Sequence, residues 1–175
     1  AMTSKLIHRG PDDAGIWLNL EHGIALGHRR LSIQDLSSCG HQPMESSSGR
    51  YVIVYNGEIY NFRKIQKELV CFGHEFRGHS DTEVLLAAIE QWGIADALTR
   101  FTGMFALTLW DKKNRVLSLA RDRIGEKPLY YGWQGKSFLF ASELKALRVH
   151  PDWKNNINRD ALALYMRHNY ISGPY

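Results

Sequence analysis

The sequence predicts an α+β domain built in layers. Three observations carry that reading: a strand-rich opening, two helical patterns in the middle, and a second strand-rich stretch closed by further helices. With 175 residues the chain suits a single domain over 1–175. That length buries a core without a disulfide or metal staple.

The elements follow in order. Residues 15–20 and 23–28 are short apolar runs around Glu21-His22-Gly23, which reads as a hairpin. Tyr51-Val52-Ile53-Val54-Tyr55 is β-branched and aromatic between Gly49 and Gly57, and reads as a buried strand. Phe62, Ile65, Leu69 and Phe72 recur at helical spacing, with Gly73 as the stop and Cys71 as core filler near the helix end. Ser80-Asp81-Thr82-Glu83 predicts a capping box, the Ser80 hydroxyl accepting from the N–H three residues on while Glu83 reaches back. Val84, Leu85, Ala88, Ile89 and Trp92 then form the buried face, ended by Gly93. Residues 104–110 and 115–120 are apolar runs joined by Asp111-Lys112-Lys113-Asn114, a third-quarter hairpin. Residues 129–133 and 137–141 form another, turned at Gln134-Gly135-Lys136. A short helix over 142–149 follows, then one capped by Asn158 with Leu162, Tyr165 and Met166 turned inward.

Composition excludes several functions. Lys and Arg number 22 against 18 Asp and Glu, a net charge of +4. The pairs Arg29-Arg30 and Lys112-Lys113 stand apart and form no stripe, so nucleic acid is not an expected partner. No stretch has the apolar length of a membrane span, and the opening residues are too short and polar for a signal peptide. Two cysteines, Cys39 and Cys71, without zinc-site spacing, point to a reducing, cytoplasmic setting and to no metal. Met2 follows Ala1, and 171–175 stop in turn chemistry, so both ends are expected to be cut from a longer chain.

Four polar stretches stand where the pattern predicts plain loop or core: His8-Arg9-Gly10-Pro11-Asp12, Arg29-Arg30-Leu31-Ser32-Ile33, Asn56-Gly57-Glu58-Ile59-Tyr60-Asn61 and Ser80-Asp81. Asn56-Gly57 reads either as a turn or as a pair of donors, side-chain amide and backbone N–H, for a developing oxyanion. Arg30 reads either as a surface residue or as a bidentate clamp on a substrate carboxylate. Asp81 first stabilises a helix N-terminus, and with Glu58 it is an acidic counterpart for a substrate ammonium. One arginine and two carboxylates suit a free amino acid.

In this order the segments resemble one family, the class II glutamine amidotransferase domain of glutamine-hydrolysing asparagine synthetases. The matching stretches are HRGPDDAG at 8–15, HRRLSIQDL at 28–36, GHQPM at 40–44, NGEIYNF at 56–62, GHSDTEVLL at 78–86, FTGMFALTLWD at 101–111, LARDRIGEKPLYY at 119–131 and FASELKAL at 140–147. The resemblance implies an N-terminal-nucleophile hydrolase fold, a four-layer αββα sandwich, here without its first strand and nucleophile. In that family an N-terminal Cys attacks the glutamine amide, its own α-amine acting as base; an amine of pKa about 8 is partly free near neutrality. Carried over, Asn56 and Gly57 form the oxyanion hole, Arg30 holds the substrate carboxylate, and Glu58 and Asp81 hold the ammonium. Leu31 and Ile33 are supports whose backbone lines the pocket. The resemblance implies no cofactor for this domain, with ATP and Mg2+ used by a C-terminal synthetase domain. The implied partners are glutamine, that synthetase domain and, as in many members, a second copy in a homodimer.

The sequence departs from the family at its start. Only residues 1–7 precede His8, position 1 is Ala, and neither Cys39 nor Cys71 falls where the nucleophile belongs. These 175 residues alone are therefore expected not to hydrolyse glutamine by this route. Two readings stay open: a glutaminase domain supplying ammonia for ATP-dependent amidation of aspartate or a related carboxylate, and a non-catalytic pseudo-glutaminase scaffold.

Overall fold

The computed structural model describes residues 1–32 and 38–171. A 3-10 turn (Thr3–Arg9) leads into β1 (Asp13–Asn19) and β2 (Ile24–Arg30), an antiparallel hairpin pairing Asp13 with Arg30 and Asn19 with Ile24. Its turn closes at Gly23, whose φ of +64° favours glycine. A second 3-10 turn (Ser38–Gly40) precedes β3 (Met44–Glu45), β4 (Tyr51–Ile59), α1 (Phe62–Cys71) and α2 (Asp81–Arg100). Then come β5 (Gly103–Asp111), β6 (Val116–Arg121), β7 (Tyr130–Gln134), β8 (Ser137–Ala141), α3 (Leu144–Leu147) and α4 (Arg159–His168). The three expected hairpins are all present.

The central sheet runs β3-β4-β5-β6, antiparallel throughout. Side-chain alternation along β4 divides its residues between two cores. Tyr51, Ile53, Tyr55 and Ile59 face α1 and α2, packing on Ile65, Leu69, Leu85 and Ile89. Val52 and Val54 face the other way, against Leu26 of β2 and Trp110 of β5. Each fully buried aliphatic here contributes about 1.5–3 kcal/mol of transfer free energy. The hairpins β1-β2 and β7-β8 cover that second face as two separate two-stranded sheets. Outside them, the Thr3–Arg9 turn packs on β2 and α3, and α3 packs on β8. The order is helices, sheet, hairpins, thin helical layer: an α+β sandwich.

The outermost ties are ionic. Glu143 accepts from Lys145 (2.9 Å), His8 (3.0 Å) and Arg9 (3.2 Å), joining the first turn to α3. Those hydrogen bonds, Lys145's first, hold its carboxyl down at about 2.

Several expectations need correction. β4 does not stop at Tyr55 but continues through Asn56-Gly57 to Ile59, because β5 pairs with it over the whole length and overrides the turn preference. The Ser80 hydroxyl accepts from the Thr82 N–H (3.1 Å), and Glu83 reaches past the cap to the N–H groups of Arg77 and Gly78 (2.9 and 3.0 Å). Gly93 breaks α2 geometrically (φ +78°), yet helix resumes after it and runs to Arg100, burying Ala97. Cys71 is exposed, since it falls on the outer side of α1 while Ile65 and Leu69 take the buried side. Asn158 caps α4 as expected, accepting from Asp160 and Ala161. Leu162, Tyr165 and Met166 are exposed, and α4 fully buries none of its residues.

Candidate active site

A cavity of about 1120 Å³ lies under the two hairpins, lined by residues 23–31, 54–58, 80–82 and 136–142 among others. It is roomy for one amino acid and within reach of the upper range of small-molecule sites. Along it runs a stretch of β4 edge that no described strand pairs.

Strand β3 reaches only Val52 and Ile53 of β4. Beyond them the same edge of β4 is met by side chains. The Tyr55 N–H donates to Gln42 Oε1 (2.7 Å), and the Ile59 N–H donates to Asp81 Oδ2 (3.0 Å). Alternate residues of an antiparallel strand direct their N–H groups to the same side. Gly57, midway between these two, therefore presents its N–H to that open edge. A side chain at Gly57 would strike β5: a Cβ there would lie 2.2 Å from the Met104 carbonyl oxygen. Glycine is required for this close approach. Asn56 and Glu58 alternate to the face shared with Val52 and Val54, and both line the cavity. The Asn56 amide donates to Ser142 Oγ at 3.4 Å, a long bond that restrains it without using all its donors.

Asp81 is the first residue of α2, buried beneath Tyr55. It accepts from the Tyr55 hydroxyl (2.8 Å) as well as from Ile59. Burial raises its pKa above the ordinary carboxylate range, against the lowering effect of these hydrogen bonds. Burial likewise pushes the Tyr55 hydroxyl far up, with Asp81 adding to it. A cation arriving at Asp81 would favour the charged form and oppose that rise.

Arg30 ends β2, where its backbone carbonyl accepts from the Asp12 N–H (3.0 Å). Its guanidinium packs closely against Gly40; a Cβ there would lie 2.0 Å from Nη2. The adjoining Arg29 braces the turn, donating to the Gly10 carbonyl (2.8 Å), and Asp12 accepts from the Ser32 N–H (2.8 Å). His41 donates to Asp13 (2.7 Å), whose carboxyl it holds below the usual range. Leu31 is exposed and lines the cavity. Ile33 lies outside the described residues.

Sequence reasoning missed four residues here. Gln42 bridges β4 to α2, since its amide also donates to Thr82 Oγ1 (3.4 Å). Tyr55 supports Asp81, and Ser142 supports Asn56. His28 donates from Nε2 to the Tyr55 carbonyl (3.0 Å), because a carbonyl can only accept. The one available signal was the i, i+2 spacing that puts His28 on the same strand face as Arg30. Burial lowers the His28 pKa to about 4. No cluster of three His, Cys, Asp or Glu among the described residues suits a metal ion. Nor is any described helix long and apolar enough to cross a membrane.

The family model for the glutamine amidotransferase domain matches residues 1–175. The chain belongs to that family. It is 44% identical over 164 residues to glutamine-hydrolysing asparagine synthetase 3 of Bacillus subtilis, covering 93% of this chain and 26% of the relative. It is 40% identical over 173 residues to synthetase 1 of the same organism, covering 99% and 27%. The amidotransferase domain thus spans about a quarter of the length of these relatives. Among solved structures it resembles a Bacillus subtilis glutamine phosphoribosylpyrophosphate amidotransferase, with a TM-score of 0.71, 23% identity, and 85% of this chain matched to 39% of that one. That likeness shows the fold, a layered α+β sandwich shared with that amidotransferase.

Proposed function

We propose that this domain binds glutamine and is the ammonia-producing part of an asparagine synthetase-like amidotransferase. The observation that carries the reading is the Gly57 N–H on the open edge of β4, with the Asn56 amide beside it on the cavity face. Two donors fixed by a strand need no reorganisation when charge develops on an amide oxygen, the condition under which such groups accelerate acyl transfer most. Arg30 supplies the fork for the substrate carboxylate, and Asp81 with Glu58 the negative side for its ammonium. Leu31, which lines the cavity, offers its backbone beside them.

A thiol adds to the side-chain amide carbon, the oxyanion forms against Asn56 and Gly57, ammonia leaves, and water releases glutamate from the thioester. Neither Cys39 nor Cys71 lines the cavity. Cleavage by this route needs a thiol at the amide carbon, which neither of these cysteines supplies to the cavity. The ammonia serves ATP- and Mg2+-dependent amidation of aspartate or a related carboxylate in a synthetase domain of the same cytoplasmic protein, which pairs as a homodimer.

Glutamate release by the complete gene product tests the reading. Glutamine hydrolysis that is abolished by replacing its N-terminal thiol supports it. A folded gene product that binds no glutamine and releases no glutamate is the scaffold instead.

A further inference from the structure

The hairpin β1-β2 rests on the central sheet through Leu26 against Val52, Val54 and Trp110. Apolar contacts of this kind are strong but non-directional, and they do not fix how far one strand slides along another. His28 supplies direction. It leaves β2 two residues before Arg30, on the same face, and donates to the Tyr55 carbonyl at 3.0 Å. The residue after Tyr55 is Asn56. The bond therefore joins the strand carrying the carboxylate clamp to the strand carrying the oxyanion donors, within two residues of each.

The choice of side chain fits the task. Gln42 already takes the Tyr55 N–H, so the carbonyl remains for a donor from the hairpin side. A lysine or arginine there would bury a second cation near Arg30. A neutral imidazole reaches the carbonyl without that cost, and the low pKa keeps it neutral at physiological pH. Its Nδ1 is buried with no hydrogen-bond partner among the described residues, the state of a ring protonated on Nε2.

We infer that His28 is a positioning residue that sets the separation between Arg30 and the Asn56–Gly57 donors. The inference rests on the glutaminase reading above. His28 also lines the cavity, and the positioning runs through its bond to the Tyr55 carbonyl.

The test is steady-state glutamine hydrolysis by the complete gene product, wild type against His28→Leu and His28→Gln. Leu removes the donor and leaves the carbonyl unpaired; Gln carries an amide donor at nearly the reach of Nε2. His28→Leu is expected to lower kcat/KM by about tenfold or more, with KM raised and kcat lowered together, since both anchors shift. His28→Gln is expected to recover most of that loss. Full activity in the Leu variant, or equal loss in both, overturns the inference. A purely structural role would lower the Leu variant's melting temperature and leave the kinetics of its folded fraction unchanged.

Ring nitrogen NMR of the wild type gives a readout independent of turnover and of whether the Leu variant folds. A neutral ring protonated on Nε2 at pH 7 supports the inference, and protonation on Nδ1 overturns it. A wild type that hydrolyses no glutamine sinks the glutaminase reading together with this inference. An active wild type with an unaffected Leu variant sinks the inference alone.

Discussion

The two halves of β4 differ in what borders them. From Tyr51 to Val54 the strand is buried, with β5 on one side and β3 or its flanking loop on the other. From Tyr55 to Ile59 it keeps β5 but loses β3, and Gln42, His28 and Asp81 take the exposed edge in turn. Sequence composition follows the same division: only Tyr, Val and Ile in the first half, with Asn56, Gly57 and Glu58 entering between Tyr55 and Ile59 in the second. A site arises where a strand held rigid by one neighbour is released by the other. The first half provides stability, and the second spends little of it while presenting a backbone donor.

The largest effect should come from breaking the closed half. Ile53 is fully buried against the helices, and Ile53→Ala is expected to cost about 4 kcal/mol of stability. Urea denaturation reads this directly, and turnover per folded molecule should be unchanged. Breaking the open half should do the reverse. Asn56→Ala is expected to lower kcat for glutamine hydrolysis by about a hundredfold to a thousandfold, with the urea midpoint little moved. Loss of both properties in either variant would erase the distinction between the halves.

Acid separates the halves more gently. The His28 pKa falls from 6.5 to about 4 on folding, so the unfolded chain binds more protons between those values. Stability present above pH 6.5 is lost as pH falls toward 4, by roughly 3 kcal/mol. The pH dependence of the urea midpoint measures it, and His28→Gln should flatten the curve across that window. Asp81→Asn should act on binding alone, raising KM for glutamine about tenfold. The amide oxygen keeps the bonds from Tyr55 and Ile59, so stability should hold. In the wild type, glutamine affinity should fall on acidification, beginning above the ordinary aspartate range because burial raises the Asp81 pKa. The smallest change belongs to α4: Met166→Ser, on an exposed surface, should stay within about 0.5 kcal/mol by urea titration.

Much of this was legible in the residues. Hairpins follow from turn chemistry at Gly23, Asp111-Lys112-Lys113-Asn114 and Gly135, and the Ser80 and Asn158 caps from side chains that accept early helical N–H groups. Arg30, Asn56, Gly57, Glu58 and Asp81 stood out as polar groups at element ends, and the fold brings Arg30, Asn56, Gly57, Glu58, Asp81 and Leu31 to one cavity. What escaped notice depends on partners distant in sequence. Asn56-Gly57 has the local chemistry of a turn, and only β5 makes it strand. Gly93 has the dihedral of a stop, yet Ala97 and its neighbours pack well enough for helix to resume. His28, Gln42, Tyr55 and Ser142 owe their roles to the edge left open beyond β3, which no local pattern encodes.

The most direct measurement is a crystal structure of the complete gene product with glutamate or unreacted glutamine in the cavity. The account predicts the α-carboxylate on Arg30, the ammonium beside Asp81 and Glu58, and the side-chain oxygen within hydrogen-bond distance of both the Gly57 N–H and the Asn56 amide. A ligand seated elsewhere, or one whose side-chain oxygen turns away from the open edge of β4, would contradict it.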